Sequence, residues 1–205
     1  MRDFAIKLIK TIQQIMTVPM LILFIASKNQ EVIIVDVRRW AKKVELIDSS
    51  DWANLLYLLY KYPEFRSLYY YRIKQGNFIS LLLMHIIKFF YKECPSLFLD
   101  CNNIGNGLFL KHAFSTIISA ESIGENCSVS QQVTVGYNTE GRPIIGNNVS
   151  IGAGAKVIGK VTIDDNVKVG ANAVVVKNVP KNCVVVGVPA YIVKRDGVKV
   201  KEQLI

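Results

Sequence analysis

The sequence is poor in the residues that build metal sites and disulfide frameworks. Its 205 residues include only two histidines and four cysteines. The cysteines stand far apart, and none forms a Cys-x-x-Cys motif or a Cys/His ligand spacing. We therefore expect reduced thiols, each packed as a small hydrophobic side chain in a cytoplasmic protein, and we expect no metal site.

A long hydrophobic run is also missing. The apolar stretch over residues 15–26 is about 12 residues long, whereas a membrane-spanning helix needs about 20. The Ser27-Lys28-Asn29-Gln30 segment after it does not resemble a signal-peptidase site, so we expect no secretory signal. Two interpretations of residues 1–28 stay open. The segment packs on its own domain or on a neighbouring subunit, or it lies in a membrane interface with Lys7 and Lys10 on the lipid headgroups.

Acidic residues are in short supply, and the net charge is +9. Residues 1–92 carry most of this excess, with 14 Lys and Arg against 7 Asp and Glu. Such a balance suits an anionic small ligand, an acidic membrane surface or nucleic acid. Nucleic acid is disfavoured because no basic helix, aromatic-rich strand motif or finger pattern accompanies the charge.

The first half of the chain has the apolar spacing of helices. Helices are predicted over residues 4–16, 51–60, 65–74 and 78–92, the second of them capped by Ser49 or Ser50. His85 stands among apolar residues, which predicts a core position. Because Pro95 ends the last helix and the composition changes there, we predict an α-helical N-terminal domain, a repeat domain and a C-terminal tail, over residues 1–95, 96–193 and 194–205.

The second half contains a six-residue period. An aliphatic residue recurs at a six-residue step in three tracts, which begin at residues 104, 123 and 145, and the fourth residue after each member of the last tract is small and apolar. This period fits neither a helix of 3.6 residues per turn nor a plain strand, and it predicts a repeat array whose units stack to bury their apolar faces. The recurring residues are Ile104, Leu110, Ile123, Val129, Val135, Ile145, Ile151, Val157, Ile163, Val169 and Val175.

The repeat strings IGNNVS, IGAGAK and VGANAV, which begin at residues 145, 151 and 169, resemble the hexapeptide repeat of the left-handed parallel β-helix acyltransferases. The resemblance covers roughly residues 101–193. It implies a mainly-β fold, a single-stranded left-handed parallel β-helix, preceded here by the small α-helical domain. A bare repeat also occurs in non-catalytic scaffolds, so an activity needs separate evidence.

Within that family, the sequence is most similar to serine acetyltransferases and to the related polysaccharide O-acetyltransferases of bacteria. Leu110–Ala113 resembles their histidine-bearing strand, and Ser128–Gly136 resembles the block before their active-site loop. Ile151–Lys156 and Val186–Ala190 resemble their cofactor-binding and terminal blocks. Pro63–Arg72 is more similar to the polysaccharide group than to the serine enzymes.

The period is broken between Val135 and Ile145, where the step is ten residues in place of six. The excess falls in residues 136–143, which contain two glycines and a proline. Repeat proteins place binding loops at such insertions, so we predict a functional loop, with a passive surface excursion as the alternative.

His112 is the predicted catalytic base. An imidazole that titrates near neutrality can take the proton of an attacking hydroxyl and return it to the sulfur of coenzyme A. In the serine enzymes a carboxylate orients this histidine, and the resemblance places that position near Leu97, which cannot do so. Asp100 is the predicted substitute, with a backbone carbonyl as the alternative.

The resemblance also assigns substrate and donor residues. The acidic residue before the family's histidine is Lys111 here, and its loop histidine is replaced by Arg142, so both cations are predicted to contact the acceptor and to disfavour the ammonium of serine. Ala153 and Ala171 map to the small residues that line the acetyl-CoA groove. Lys177, Lys194 and Arg195 are placed like the family's cations for the coenzyme phosphates. The resemblance places the acetyl-CoA groove between two neighbouring chains, and this arrangement implies a homotrimer.

These observations predict an acetyl-CoA-dependent O-acetyltransferase that acts on a hydroxyl of a sugar or polysaccharide precursor, located in the cytoplasm or peripherally at the inner membrane face. Serine O-acetylation in cysteine biosynthesis is the first alternative. A catalytically silent β-helix that binds membranes or partner proteins is the second.

Overall fold

The computed structural model describes residues 15–46 and 50–204. Its contacts divide the chain into two compact units, Met1–Cys94 and Pro95–Ile205, one residue before the predicted boundary. The helix predicted over residues 4–16 lies almost entirely outside the described residues, as do Lys7 and Lys10.

The first unit is helical. Ser50 caps the third helix by accepting the Ala53 N–H at 3.3 Å, Pro63 opens the fourth, and Asn77 caps the fifth. Within the described residues, none of the helices combines the length and the hydropathy needed to cross a bilayer. The helices are α1 (residues 15–26), α2 (Gln30–Lys43), which was not predicted, α3 (Asp51–Lys61), α4 (Pro63–Lys74) and α5 (Phe78–Phe90).

Aromatic side chains and one ion pair form the centre of this unit. Trp40 and Phe65 are fully buried and meet edge to face with ring centroids 5.2 Å apart. The buried Arg72 guanidinium lies 2.9 Å from the Asp36 carboxylate, so both charges are compensated inside the core.

The predicted core position of His85 is wrong. His85 is exposed on α5, where its Nδ1 lies 2.8 Å from the Leu81 carbonyl oxygen. Because α5 is apolar on nearly all sides, its composition does not show which side faces the core.

The second unit is a parallel β-helix with three sheets, each receiving one short strand per coil. The first sheet contains β1 (Leu97–Leu99), β4 (Thr116–Ile118), β7 (Thr134–Gly136), β10 (Lys156–Ile158) and β13 (Val174–Val175). The second contains β2 (Asn103–Ile104), β5 (Ser122–Ile123), β8 (Ile144–Ile145) and β11 (Thr162–Ile163). The third contains β3 (Phe109–Lys111), β6 (Ser128–Ser130), β9 (Ser150–Ile151), β12 (Lys168–Val169) and β14 (Cys183–Val186).

The predicted β-helix, preceded by a helical domain, is confirmed. Ile151 pairs with Val169 on the next coil, and Ile145 pairs with Ile163 in the same way, so three six-residue faces make one turn. All eleven recurring aliphatic residues are buried, because each points into the space enclosed by the three sheets. Asparagines at corners, such as Asn148 and Asn166, have the left-handed backbone that Asn tolerates.

The C-terminal tail predicted over residues 194–205 is instead largely part of the β-helix unit. The third sheet continues through β15 (Tyr191–Arg195), which pairs in antiparallel fashion with β14, and through β16 (Val198–Gln203), which pairs in antiparallel fashion with β15. Asp196 and Gly197 join them with φ values of 48° and 85°. An Asp-Gly pair with positive φ at both residues is a common two-residue hairpin turn, so this dipeptide is a hairpin signal in the sequence.

Candidate active site

One edge of the β-helix carries several predicted site residues. The chain turns from the third sheet to the first after β3, β6, β9 and β12, and we call this corner the 3–1 edge. Backbone hydrogen bonds connect the successive turns of this edge. The N–H groups of Gln132, Gly154 and Asn172 donate to the carbonyls of Phe114, Gln131 and Ala153 at 3.0, 3.0 and 2.9 Å. Residues in these turns therefore form a line along the helix axis.

His112 begins this line. It follows β3 directly, has a φ of 49° and is exposed. Its carbonyl accepts the Phe114 N–H at 2.7 Å, which tightens the turn. Among the described residues its imidazole has no hydrogen-bond partner, so both ring nitrogens are available to a ligand or to a second chain.

Ala153 and Ala171 lie on the same 3–1 edge, after β9 and β12. With neighbouring strands about 4.8 Å apart, they stand about 10 Å and 14 Å along the axis from the coil of His112. Neither alanine is buried, so the two methyl groups leave a shallow strip that a larger side chain would fill. The structure thus lines up the predicted base with the two predicted donor contacts.

Asp100 does not contact His112 within the chain. Asp100 follows β1, and its N–H donates to the carbonyl of Ile118, the last residue of β4. His112, in contrast, comes before the first residue of β4. The two residues therefore lie at opposite ends of the first sheet, separated by about 10 Å of strand. Asp100 stands at the corner between the first and second sheets, which we call the 1–2 edge, and its predicted orienting role is not supported.

Asp100 instead holds Arg142. The Arg142 Nη2 lies 2.9 Å from the Asp100 Oδ2, and its Nη1 donates to the Asp100 carbonyl at 3.1 Å. Ser119 donates its hydroxyl to the same carboxylate at 3.1 Å. The guanidinium also lies over the Tyr137 ring, 5.5 Å from its centroid. Ser119 and Tyr137 were not predicted, because only the folded register brings them to this corner.

The break in the repeat forms a compact turn at the 1–2 edge. The side-chain oxygen of Asn138 accepts hydrogen bonds from the N–H groups of Glu140 at 2.9 Å and Gly141 at 3.2 Å. The backbone N–H of Asn138 donates to the Gly141 carbonyl at 3.1 Å. Gly159, with a φ of 92°, lies against this turn, and a Cβ there would come within 2.7 Å of the Asn138 amide. The turn is therefore braced by the next coil and presents Arg142 at a defined position.

The remaining predicted cations are dispersed. Lys177 lies on the 1–2 edge after β13, and its Nζ donates to the Leu204 carbonyl at 3.1 Å beside a cavity of about 60 Å³. Arg195 on β15 is paired with Glu202, with 3.1 Å between Nε and Oε2. Lys194 and Lys111 are exposed, and Lys111 is next to His112. Within one chain, these cations do not gather around the alanine strip.

Part of this β-helix resembles a family of hexapeptide-repeat transferases. Residues 142–177 match the family model described as "Bacterial transferase hexapeptide (six repeats)".

Serine acetyltransferases are among the particular proteins that this chain resembles. It is 46% identical over 102 residues to the enzyme from Staphylococcus aureus, a match that covers 47% of this chain and 48% of that protein. It is 34% identical over 102 residues to the enzyme from Synechococcus elongatus, a match that covers 47% and 42%. The matches thus span about half the length of these curated relatives.

Solved structures extend the likeness beyond the repeats. The serine acetyltransferase of Neisseria gonorrhoeae superposes with a TM-score of 0.62 at 26% identity, covering 83% of this chain and 68% of that one. The enzyme from Brucella abortus in complex with coenzyme A gives a TM-score of 0.61 at 27% identity, covering 88% and 74%. The predicted resemblance to hexapeptide-repeat acyltransferases is confirmed.

Proposed function

We propose that this protein is an acetyl-CoA-dependent O-acetyltransferase. The observation that carries the proposal is the alignment of His112, Ala153 and Ala171 on the 3–1 edge. An exposed imidazole at one end of a strip of small side chains is suited to a thioester whose long arm lies along that strip. The Brucella abortus relative in complex with coenzyme A supports the same donor.

In this proposal His112 acts as the general base. It takes the proton from the acceptor hydroxyl while the oxygen attacks the thioester carbonyl carbon, and the C–O bond forms. When the C–S bond breaks, the imidazolium returns the proton to the departing sulfur. Backbone N–H groups near the corner stabilise the oxyanion. A C–S bond and an O–H bond are thus exchanged for a C–O bond and an S–H bond, so the step needs no oxidant.

We further propose that the working unit is a homotrimer. His112 and the alanines lie on the 3–1 edge, whereas Arg142, Asp100 and Lys177 lie on the 1–2 edge of the same chain. A groove that holds both sets needs an edge from each of two chains, and a threefold assembly supplies three such grooves. The absence of a described partner for the His112 imidazole within its own chain supports this arrangement.

L-Serine is the acceptor that the comparisons favour. The relatives reported above are serine acetyltransferases, so the sugar acceptor predicted from the sequence is less well supported than its first alternative. The braced Arg142 suits a carboxylate, which serine provides.

A sugar or polysaccharide hydroxyl stays as the second candidate because of Lys111. This exposed cation directly precedes His112 and disfavours an ammonium group close to the base. The cytoplasmic location stays a prediction.

The test measures thiol release from acetyl-CoA by the full-length protein, first with L-serine and then with sugars and nucleotide sugars. We expect one acceptor to be turned over, and His112→Ala to lower kcat about 10²–10⁴-fold while coenzyme A binding is retained. His85→Ala is the matched control, since it removes the other histidine, exposed on α5 outside the site. Unchanged turnover in His112→Ala would exclude His112 from the chemistry. Absence of coenzyme A binding would favour the catalytically silent β-helix.

A further inference from the structure

The helical unit exposes an apolar side on two of its helices. On α5 the exposed side includes Phe78 and Phe89, each 77% exposed, together with Leu82 and Ile86. These residues recur at helical spacing, opposite Met84 and Ile87, which are buried in the unit's own core. On α1 the exposed side contains Ile15, Ile22 and Ile25.

The two helices are antiparallel neighbours. At one end the Asn77 side-chain amide donates to the Ala26 carbonyl at 2.7 Å, so the start of α5 meets the end of α1. At the other end the Tyr91 hydroxyl donates to the Met16 carbonyl. The exposed residues of both helices therefore lie close together, and we call them the α1/α5 apolar face.

This face is large for a monomer. An aromatic side chain covers about 150–250 Å², so Phe78, Phe89 and the equally prominent Phe90 alone approach the largest apolar patch of a typical monomer, about 300–600 Å². The core does not use these side chains, because both helices bury their opposite sides. The described residues of this unit therefore leave the side uncovered.

Lysines bracket the face at both ends. Lys28 follows α1 and Lys74 precedes α5 at the end marked by the Asn77 bond, while Lys88 and Lys92 lie at the other end. Neither residues 15–28 nor residues 74–92 contain an Asp or Glu. Lys88 is paired with Glu93 at 2.6 Å, whereas Lys28, Lys74 and Lys92 are exposed and have no ion pair among the described residues.

We propose that the α1/α5 apolar face docks in the surface of an anionic lipid bilayer. The helices lie parallel to the membrane plane, the phenylalanines enter the acyl boundary, and the lysines contact the phosphates. None of the described helices is long enough to cross, so the contact is peripheral. A symmetric pairing of this face with a second copy is disfavoured, because it would bring two basic rims together while Glu93 is already paired with Lys88.

The experiment is flotation of the full-length protein with vesicles of phosphatidylcholine, alone or mixed with phosphatidylglycerol. We expect binding to the anionic vesicles at least about tenfold stronger than to the neutral ones, and weaker binding at high salt. Phe78→Ser/Phe89→Ser should weaken it at least about tenfold, whereas the matched control Phe78→Leu/Phe89→Leu keeps an apolar face and should retain it. Lys28→Gln/Lys74→Gln/Lys92→Gln should weaken it about 10²-fold, since each lysine contributes about fivefold.

Two results would overturn the proposal. One is the absence of flotation with either vesicle. The other is retained flotation in the serine double variant, which would place the lipid contact elsewhere. Light scattering without vesicles distinguishes the competing occupant. If the serine double variant halves the mass of the particle and vesicles do not bind, the face is an interface between copies of this chain.

Discussion

Arg142 and Asp100 are 42 residues apart in sequence, yet the guanidinium Nη2 and the carboxylate Oδ2 lie 2.9 Å from each other at the 1–2 edge. Arg142 therefore has a fixed direction before any ligand arrives. Its side chain is about one third exposed, so it is held and still accessible. In the proposed enzyme, Asp100 positions a binding cation.

Asp100→Asn should raise the KM for the acceptor about fivefold with little change in kcat. A partly exposed ion pair contributes up to about 1 kcal/mol, and losing it frees Arg142 to adopt other rotamers. Steady-state kinetics measures both constants. Glu121→Gln is the matched control, because this nearby carboxylate binds Asn102 and not Arg142. A kcat that falls a hundredfold at constant KM would instead place Asp100 on the catalytic base of a neighbouring chain.

Ala171→Leu should weaken coenzyme A binding at least about tenfold. The leucine side chain would occupy the strip along the 3–1 edge, and because Ala171 is exposed, the fold itself tolerates the change. Calorimetric titration measures the affinity. Ala171→Ser keeps the side chain small and should bind normally. Equal affinity in the leucine variant would show that the donor does not lie along this edge.

Asp36→Ala should lower the free energy of unfolding of the helical unit by about 3–5 kcal/mol, because it leaves the Arg72 charge buried without its carboxylate. Urea unfolding followed by tryptophan fluorescence reports on this unit, since Trp40 and Trp52 both belong to it. Arg38→Gln breaks the exposed pair with Asp51 and should leave the urea midpoint of unfolding nearly unchanged. Similar losses in both variants would contradict the distinction between buried and exposed pairs.

Cys101 should react slowly with alkylating reagents at pH 8. Burial raises the pKa of its thiol to about 11, so the reactive thiolate is scarce at pH 8 and increases about tenfold for each pH unit up to that value. Peptide mass spectrometry after iodoacetamide treatment measures the rate at this residue, with free cysteine as the reference. A rate at pH 8 that equals that of free cysteine would contradict the raised pKa.

The fold of the second unit could be predicted from sequence because the signal is repeated. Each coil restates the same six-residue rule, so Ile151 and Val169 reveal the same register independently. Local chemistry also predicted a cap at Ser49 or Ser50, and Ser50 is the residue that caps α3. The side of α5 that faces the core could not be predicted, because α5 is apolar on nearly all sides and only packing selects the buried side.

The site was predictable where it follows the period and unpredictable where it does not. His112, Ala153 and Ala171 stand at corners of regular coils, and the structure places them on one edge. The ion pair of Asp100 with Arg142 depends on the path of the turn over residues 137–143 between β7 and β8. The six-residue pattern of the sequence does not specify that path. The role of Asp196-Gly197 was available in the sequence as a hairpin signal.

The stacking of coils has a consequence for length. The separation between His112 and each alanine is a whole number of coils, each about 4.8 Å high, so point substitutions within a coil cannot adjust it gradually. Deleting or inserting about 18 residues, one complete coil, would change that separation in a single step while keeping the neighbouring pairings intact. The number of coils between His112 and the alanines therefore sets the length of the strip along the 3–1 edge. In the proposed enzyme, that number limits the length of the donor that the strip can hold.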